Sequence, residues 1–189
     1  MRIIGGKHSG RRLGSLAGSN TRPTGDRVRE ALFNIWQTHV AGARLWDAYA
    51  GTGAVGLEAL SRGAASVVFS ESSRVALATL RHNVALLGED AQTEVWPLKA
   101  EHLLERWNDN APQFDLVFLD PPWRLGVSED VRISLWRVVA AGGMAVVESR
   151  QSDTPPMLAD LSLLWTRRYG DTRLTAYEHQ DRGKAGGLA

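Results

Sequence analysis

The 189-residue chain predicts an α/β fold: a doubly wound, seven-stranded, mostly parallel sheet with a C-terminal antiparallel hairpin and a small N-terminal β-hairpin extension. Three observations predict it. From Arg44 onward, short apolar runs alternate with amphipathic segments, the rhythm of β–α units whose sheet is covered on both faces. A Gly-x-Gly-x-x-Gly loop, Gly51 to Gly56, follows the first of these runs. The last two runs are consecutive and joined by Gly170-Asp171, a hairpin signal.

In chain order, Arg2–Ile4 and Arg11–Leu13 are short extended candidates around glycines, and Gly14–Thr24 is a loop rich in Gly, Ser, Thr, Asn and Pro. Thr24 suits an N-cap for a helix over Gly25–Thr38, where Val28, Leu32 and Ile35 form an apolar stripe. Strands are predicted at Arg44–Ala48, Ser66–Glu71, Thr93–Leu98, Phe114–Leu119 and Gly143–Glu148. Helices are predicted between them at Val55–Arg62, Arg74–Leu87, Glu101–Trp107 and Glu129–Val139. Leu161–Tyr169 and Thr172–Gln180 complete the sheet as the hairpin. The expected organisation is a basic extension over 1–22, one domain over 23–181 and a frayed tail over 182–189.

Composition excludes several classes. Apolar content of 43% and charged content of 23% are those of an ordinary soluble domain. No stretch reaches the ~20 apolar residues of a membrane span, and the first residues lack a signal peptide's apolar segment. No membrane partner is expected, and the cytoplasm is the expected location. The absence of cysteine removes disulfides, thiolate metal sites and cysteine nucleophiles. His8, His39, His82, His102 and His179 are scattered without metal-ligand spacing, so no metal is expected. Trp36, Trp46, Trp136 and Trp165 sit in apolar patterns and read as core. Net charge is only +1, yet residues 1–44 carry eight basic side chains against two acids. Such a local excess suits a phosphate backbone, and equally a solvated basic face.

The glycine loop lies in Leu45-Trp46-Asp47-Ala48-Tyr49-Ala50-Gly51-Thr52-Gly53-Ala54-Val55-Gly56. Glycine is required where backbone turns tightly and approaches a ligand. Alone, the pattern would suggest a dinucleotide site with pyrophosphate at the helix N-terminus. Asp47, just before the glycines, disfavours a pyrophosphate but can hold an ammonium. Glu71, at the end of the next strand, can accept hydrogen bonds from ribose hydroxyls. Glu71 fits several nucleosides; Asp47 favours S-adenosylmethionine, which carries an ammonium and no phosphate.

The run Phe114-Asp115-Leu116-Val117-Phe118-Leu119 ends in Asp120-Pro121-Pro122-Trp123. Two prolines can continue neither helix nor central strand. Strands one and four are expected side by side, at the reversal of strand order, so Asp120 faces the glycine loop across one crevice. An exocyclic amine on a nucleobase is a poor nucleophile because its lone pair is delocalised into the ring. The Asp120 carboxylate and the Pro121 carbonyl can accept its two N–H bonds and favour pyramidal nitrogen, with Pro122 stiffening the loop. Trp123 can stack on the base, worth ~1–3 kcal/mol.

With these residues the chain resembles the class I S-adenosylmethionine-dependent methyltransferases, a Rossmann-like fold. More narrowly it resembles the bacterial small-subunit ribosomal RNA guanine-N2 methyltransferases. The resemblance covers nearly the whole chain, through RIIGGKHSGRRL, TRPTGDRVREALFNIW, DAYAGTGAVGLEALSRGA, LDPPW and RRYGDTRLTAYE. It implies that Asp47, Ala50, Gly51 and Gly53 line the methionine end of the cofactor, with Glu71 on the ribose and the backbone near Ala100 on the adenine. It further implies that Asp120, Pro121, Pro122 and Trp123 form the target-base site. Lys7, Arg11, Arg12, Arg22 and Arg27 would touch 16S rRNA in the assembling small subunit, with the enzyme acting as a monomer. Lys99 stands where such enzymes often carry an Asp or Asn toward adenine, and it cannot accept that hydrogen bond. Of Arg27 and Arg29, two apart on a helix, at most one faces the cleft. The competing readings are an adenine-N6 DNA methyltransferase, for which the chain leaves little room for a sequence-reading domain, a nucleotide-binding oxidoreductase, and a non-catalytic RNA-binding module.

Overall fold

The buried runs Leu45-Trp46, Val67–Phe69 and Leu116–Leu119 have no polar face to offer water, so their strands pair in the middle of a sheet with helices on either side. A computed structural model describes residues 1–16, 23–107 and 111–180. Its elements are α1 (Pro23–Ile35), β1 (Arg44–Asp47), α2 (Ala54–Ser61), β2 (Ser66–Ser70), α3 (Arg74–Leu87), β3 (Thr93–Trp96) and α4 (Ala100–Trp107). They continue with β4 (Phe114–Leu119), α5 (Glu129–Ser134), β5 (Val139–Arg150), β6 (Ser162–Tyr169) and β7 (Thr172–Glu178). Arg22 and the tail 182–189 lie outside the described residues.

Strand order is β3-β2-β1-β4-β5-β7-β6. β1 pairs parallel with both β2 and β4, so chain order reverses between β1 and β4, as the sequence predicts. β7 inserts antiparallel between β5 and β6, and the β6–β7 turn uses Gly170 at φ 58. One face of the sheet packs on α1, α2 and α3 through Leu32, Phe33, Trp36, Leu57, Leu80 and Phe118. The other packs on α4 and α5 through Trp46, Leu103, Phe114, Val131 and Leu135. Trp107, which sequence pattern does not place, stands edge-on to Trp46 at 5.0 Å and 5.5 Å from Phe114.

Four elements differ from expectation. The helix expected over Gly25–Thr38 with Thr24 as its N-cap runs from Pro23 to Ile35, so Thr24 lies within the helix. The predicted helix Glu129–Val139 stops at Ser134 and tightens into a 3-10 turn at Leu135–Arg137. That change of pitch leaves Trp136 at the surface, 37% exposed, against His179 at 6.3 Å, and not in the core. β5 starts at Val139, earlier than Gly143, and its register shifts between the pairs made by Phe114 and Leu116. The N-terminal hairpin reduces to a single bridge, Arg2 to Arg12, with Ile3 and Leu13 buried in the α1–α3 core.

The N-terminal strand of chain is held by α2. Fully buried Glu58 accepts the backbone N–H groups of Ile4 (2.7 Å) and Gly5 (2.8 Å) and also binds Arg62 at 2.8 Å. Lys7 donates its N–H to the Ser61 carbonyl at 2.8 Å. Gly6 sits at φ +78, where a Cβ would lie 1.8 Å from that carbonyl oxygen. The glycine pair therefore permits backbone to lie directly on the last turn of α2.

Candidate active site

The end of β1 delivers Asp47, 2% exposed, whose carboxylate accepts the Gly56 N–H at 3.1 Å. Burial pushes its pKa up to about 7; the Gly56 bond opposes the rise, and the nearby charges of Asp120 and Glu71 reinforce it. The three loop glycines have different tasks. A Cβ on Gly53, at φ +84, would lie 2.3 Å from Leu80, and one on Gly56 would lie 2.2 Å from Phe69. Those two allow α2 to approach α3 and β2. Gly51, at φ +55, has nothing within 4 Å of its Cβ position, so its backbone faces open space at the crevice wall.

Glu71, just past β2, is fixed from both sides. Gly51 donates its N–H to one carboxylate oxygen at 2.8 Å and Ser73 to the other at 2.7 Å. The glycine loop and the acid are thus one hydrogen-bonded unit.

Beyond the carboxyl ends of β1, β2 and β4 opens a cavity of about 770 Å³. Gly51, Glu71, Ala100, Asp120, Pro121 and Trp123 all line it, and Pro122 does too. Asp47, Ala50 and Gly53 stand behind the loop and are absent from this wall. Lys99 lines the cavity and pairs with Glu101 at 3.9 Å. Tyr49 adds an apolar wall; burial, helped by the charge of Glu101, pushes its hydroxyl up to about 12 and keeps it neutral.

The Asp120 side chain is exposed at the mouth of the crevice, yet the lip and walls of the crevice crowd its carboxyl and strip part of its hydration. That desolvation pushes its carboxyl up to about 7. Trp123 lines the same crevice and carries the Arg150 guanidinium on its ring, 5.4 Å from the centroid. One acid escapes a reading based on motifs: Glu148 of β5. Because Leu119 pairs with Val147, Asp120 and Glu148 are the next residues of neighbouring parallel strands and face the same side. Burial, with repulsion from Asp120, pushes Glu148 up to about 8. The available signal was that the predicted strand Gly143–Glu148 ends on an acid, as the strands before Glu71 and Asp120 do.

The basic residues separate into two groups. Lys7 is tied to Glu89 at 2.7 Å, beside His8 at 2.6 Å from the same oxygen. Burial alone would raise Glu89, but the Lys7 and His8 bonds outweigh it and lower its pKa. Arg29 is buried, donating to the Arg2 carbonyl at 2.7 Å and to Asp26 at 3.1 Å. Arg11, Arg12 and Arg27 are exposed. Among the described residues no group of three or more potential ligands could hold a metal ion, and no helix is long and apolar enough to cross a membrane.

The strand order, the glycine loop and the crevice define a class I methyltransferase fold. The chain matches the family described as Conserved hypothetical protein 95 over residues 1–178 and belongs to that family. Ribosomal RNA small subunit methyltransferase D of Escherichia coli strain K12 is 33% identical over 190 residues, 98% of this chain and 93% of that protein. The protein of the same name from Haemophilus influenzae is 39% identical over 130 residues, 68% of this chain and 67% of its own length. The solved structure of Escherichia coli yhhF superimposes with a TM-score of 0.83 at 34% identity, covering 95% of this chain and 98% of that one.

Proposed function

We propose that this protein transfers a methyl group from S-adenosylmethionine to the exocyclic N2 of a guanine in 16S rRNA, as a cytoplasmic monomer acting on the assembling small ribosomal subunit. The observation that carries the reading is that the Asp120-Pro121-Pro122-Trp123 lip lines the same crevice as Gly51 and Glu71. The names of the relatives over nearly the full chain support ribosomal RNA as the substrate class.

The residues fit S-adenosylmethionine. Gly51 leaves room for a ligand at its Cα, and Glu71, held by two backbone N–H groups, keeps lone pairs for ribose hydroxyls. Asp47, buried with one N–H partner, supplies the charge an ammonium needs. Ala100, the first residue of α4, offers backbone to the adenine ring. When bound, the cofactor supplies an electrophilic methyl carbon on a sulfonium centre. Asp120 and the Pro121 carbonyl accept the two amine N–H bonds and aim the nitrogen lone pair across the crevice. Trp123, with one ring face occupied by Arg150, presents the other to the base. Catalysis then rests on proximity and orientation. Arg11, Arg12 and Arg27 are the exposed cations available to phosphates, and Lys7 contributes from its pairing with Glu89.

The test is incubation with labelled S-adenosylmethionine and small subunits from cells lacking this protein, followed by nucleoside analysis. N2-methylguanosine at one position in 16S rRNA is expected. Label in adenine, or in DNA alone, would refute the reading, and RNA binding without transfer would mean a non-catalytic module.

A further inference from the structure

Four carboxylates at and behind the crevice, Asp47, Glu71, Asp120 and Glu148, are not equivalent, while Glu101 in its wall pairs with Lys99. Asp47 and Glu71 take backbone N–H donors from Gly56, Gly51 and Ser73. Asp120 and Glu148 accept no hydrogen bond from any described residue. They stand side by side at the ends of β4 and β5, one residue past the Leu119–Val147 pair. A smaller cavity of about 200 Å³ is lined by both of them and by Phe118. A third, of about 260 Å³, places Glu148 beside Pro121 and Trp123. A flat base resting on Trp123 therefore has two acceptor side chains next to it, not one.

The donor pattern of the nucleobases decides what such a pair can read. The Watson–Crick edge of guanine offers three N–H bonds in a row, two on N2 and one on N1. Adenine offers two on N6 and a lone pair on N1, which a carboxylate repels. We infer that Glu148 is a specificity-determining residue that accepts the N1–H of the target guanine while Asp120 and Pro121 hold its N2 amine. This inference rests on the guanine-N2 reading given above. An acceptor pair left without protein donors fits it: Asp120 is exposed and Glu148 half-buried, so both reach the crevice with lone pairs free, and the correct base brings the donors while displacing their water. The raised pKa values of Asp120 and Glu148, about 7 and about 8, express the same shortage in the free protein.

The inference separates from the parent reading by an analogue. 2-Aminopurine keeps the N2 amine of guanine but has a lone pair at N1. Small subunits would be reconstituted with guanine or 2-aminopurine at the methylated nucleotide, and initial rates measured at pH 8, where guanine N1 keeps its proton and Glu148 is ionised in a large share of the protein. Wild type is expected to prefer guanine by at least about 100-fold, because a site built around a hydrogen bond rejects a base lacking it. Glu148→Gln can donate to N1 through its amide. It should lose roughly 10-fold on guanine, gain on 2-aminopurine, and so lose most of the preference. Glu148→Asp keeps an acceptor, so it should be slower yet still favour guanine. Equal S-adenosylmethionine affinity in all three proteins, by calorimetry, establishes that the cofactor site is intact. Wild-type preference retained in Glu148→Gln overturns the inference, as does a wild type that methylates both bases equally. If wild type forms no N2-methylguanosine, the parent reading has failed, and this inference with it.

Discussion

Replacing Glu58 by alanine should destabilise the whole domain although Glu58 is far from any reacting atom. The side chain is fully buried and is the acceptor for the Ile4 and Gly5 N–H groups, which have no alternative partner on α2. Leaving one buried donor unsatisfied costs ~1–3 kcal/mol. Arg62, 20% exposed, can turn toward water, and Arg29 keeps the Arg2 carbonyl and Asp26, so neither becomes an isolated buried charge. Two orphaned donors then give about 4 kcal/mol, within the range for breaking a buried ionic cluster. At ~2.1 cal/mol/K of unfolding entropy per residue, 189 residues give about 0.4 kcal/mol per degree. The expected fall in Tm is about 10 °C by calorimetry. Glu58→Gln, which keeps one acceptor oxygen, should lose roughly half as much. Limited proteolysis should cut the alanine variant first within residues 1–16. A Tm within 2 °C of wild type, with this segment still protected, would refute the claim that Glu58 is what anchors it.

Four further outcomes are expected. Gly51→Ala places a methyl at φ +55, costing ~1–2 kcal/mol of stability, but its main effect should be weakened S-adenosylmethionine binding by calorimetry; unchanged affinity would put the cofactor elsewhere. Asp120→Asn should abolish turnover while leaving cofactor binding near wild type; in wild type, kcat/KM should rise with pH through about 7 as the Asp120–Glu148 pair ionises. Stability should move the opposite way: these folded-state pKa values are raised, so stability declines from about pH 4, where the unfolded carboxyls ionise, to about pH 8, and Glu148→Gln should flatten that decline in urea titrations at several pH values. Charge reversal at exposed Arg11 and Arg12 should weaken RNA binding and lower the slope of log K against log salt by about 1–2; an unchanged slope would remove this segment from the RNA contact.

The β–α rhythm was legible because parallel strands covered on both faces must be continuously apolar, and those runs are visible without partners. The adjacency of β1 and β4 followed from topology, and it brought Gly51 and Asp120 to one crevice. Glu148 was not legible by motif, since its role depends on lying beside Asp120 on a strand paired through Leu119 and Val147. The Gly5-Gly6 pair reads as a hairpin feature in the sequence, whereas Gly6 is required by the Ser61 carbonyl, 55 residues away, and a Cβ on Gly5 would lie 2.7 Å from the Arg62 guanidinium. Trp136 was misplaced because helical spacing assumes a constant pitch, which the 3-10 turn at Leu135–Arg137 breaks.

If Trp123 receives the target base as proposed, the Arg150–Trp123 stack limits how RNA can be presented. With the guanidinium on one ring face, the indole has a single face left, so one nucleotide enters at a time, without its stacked neighbours. The target must leave its own helix or loop stack first, at a cost of a few kcal/mol that is smallest for a nucleotide already unpaired. A strand that swings one base outward in the incompletely folded subunit would be modified readily, and the same nucleotide locked between neighbours would not. On the proposed function, the ring pair would make methyl transfer depend on local RNA order as well as on base identity.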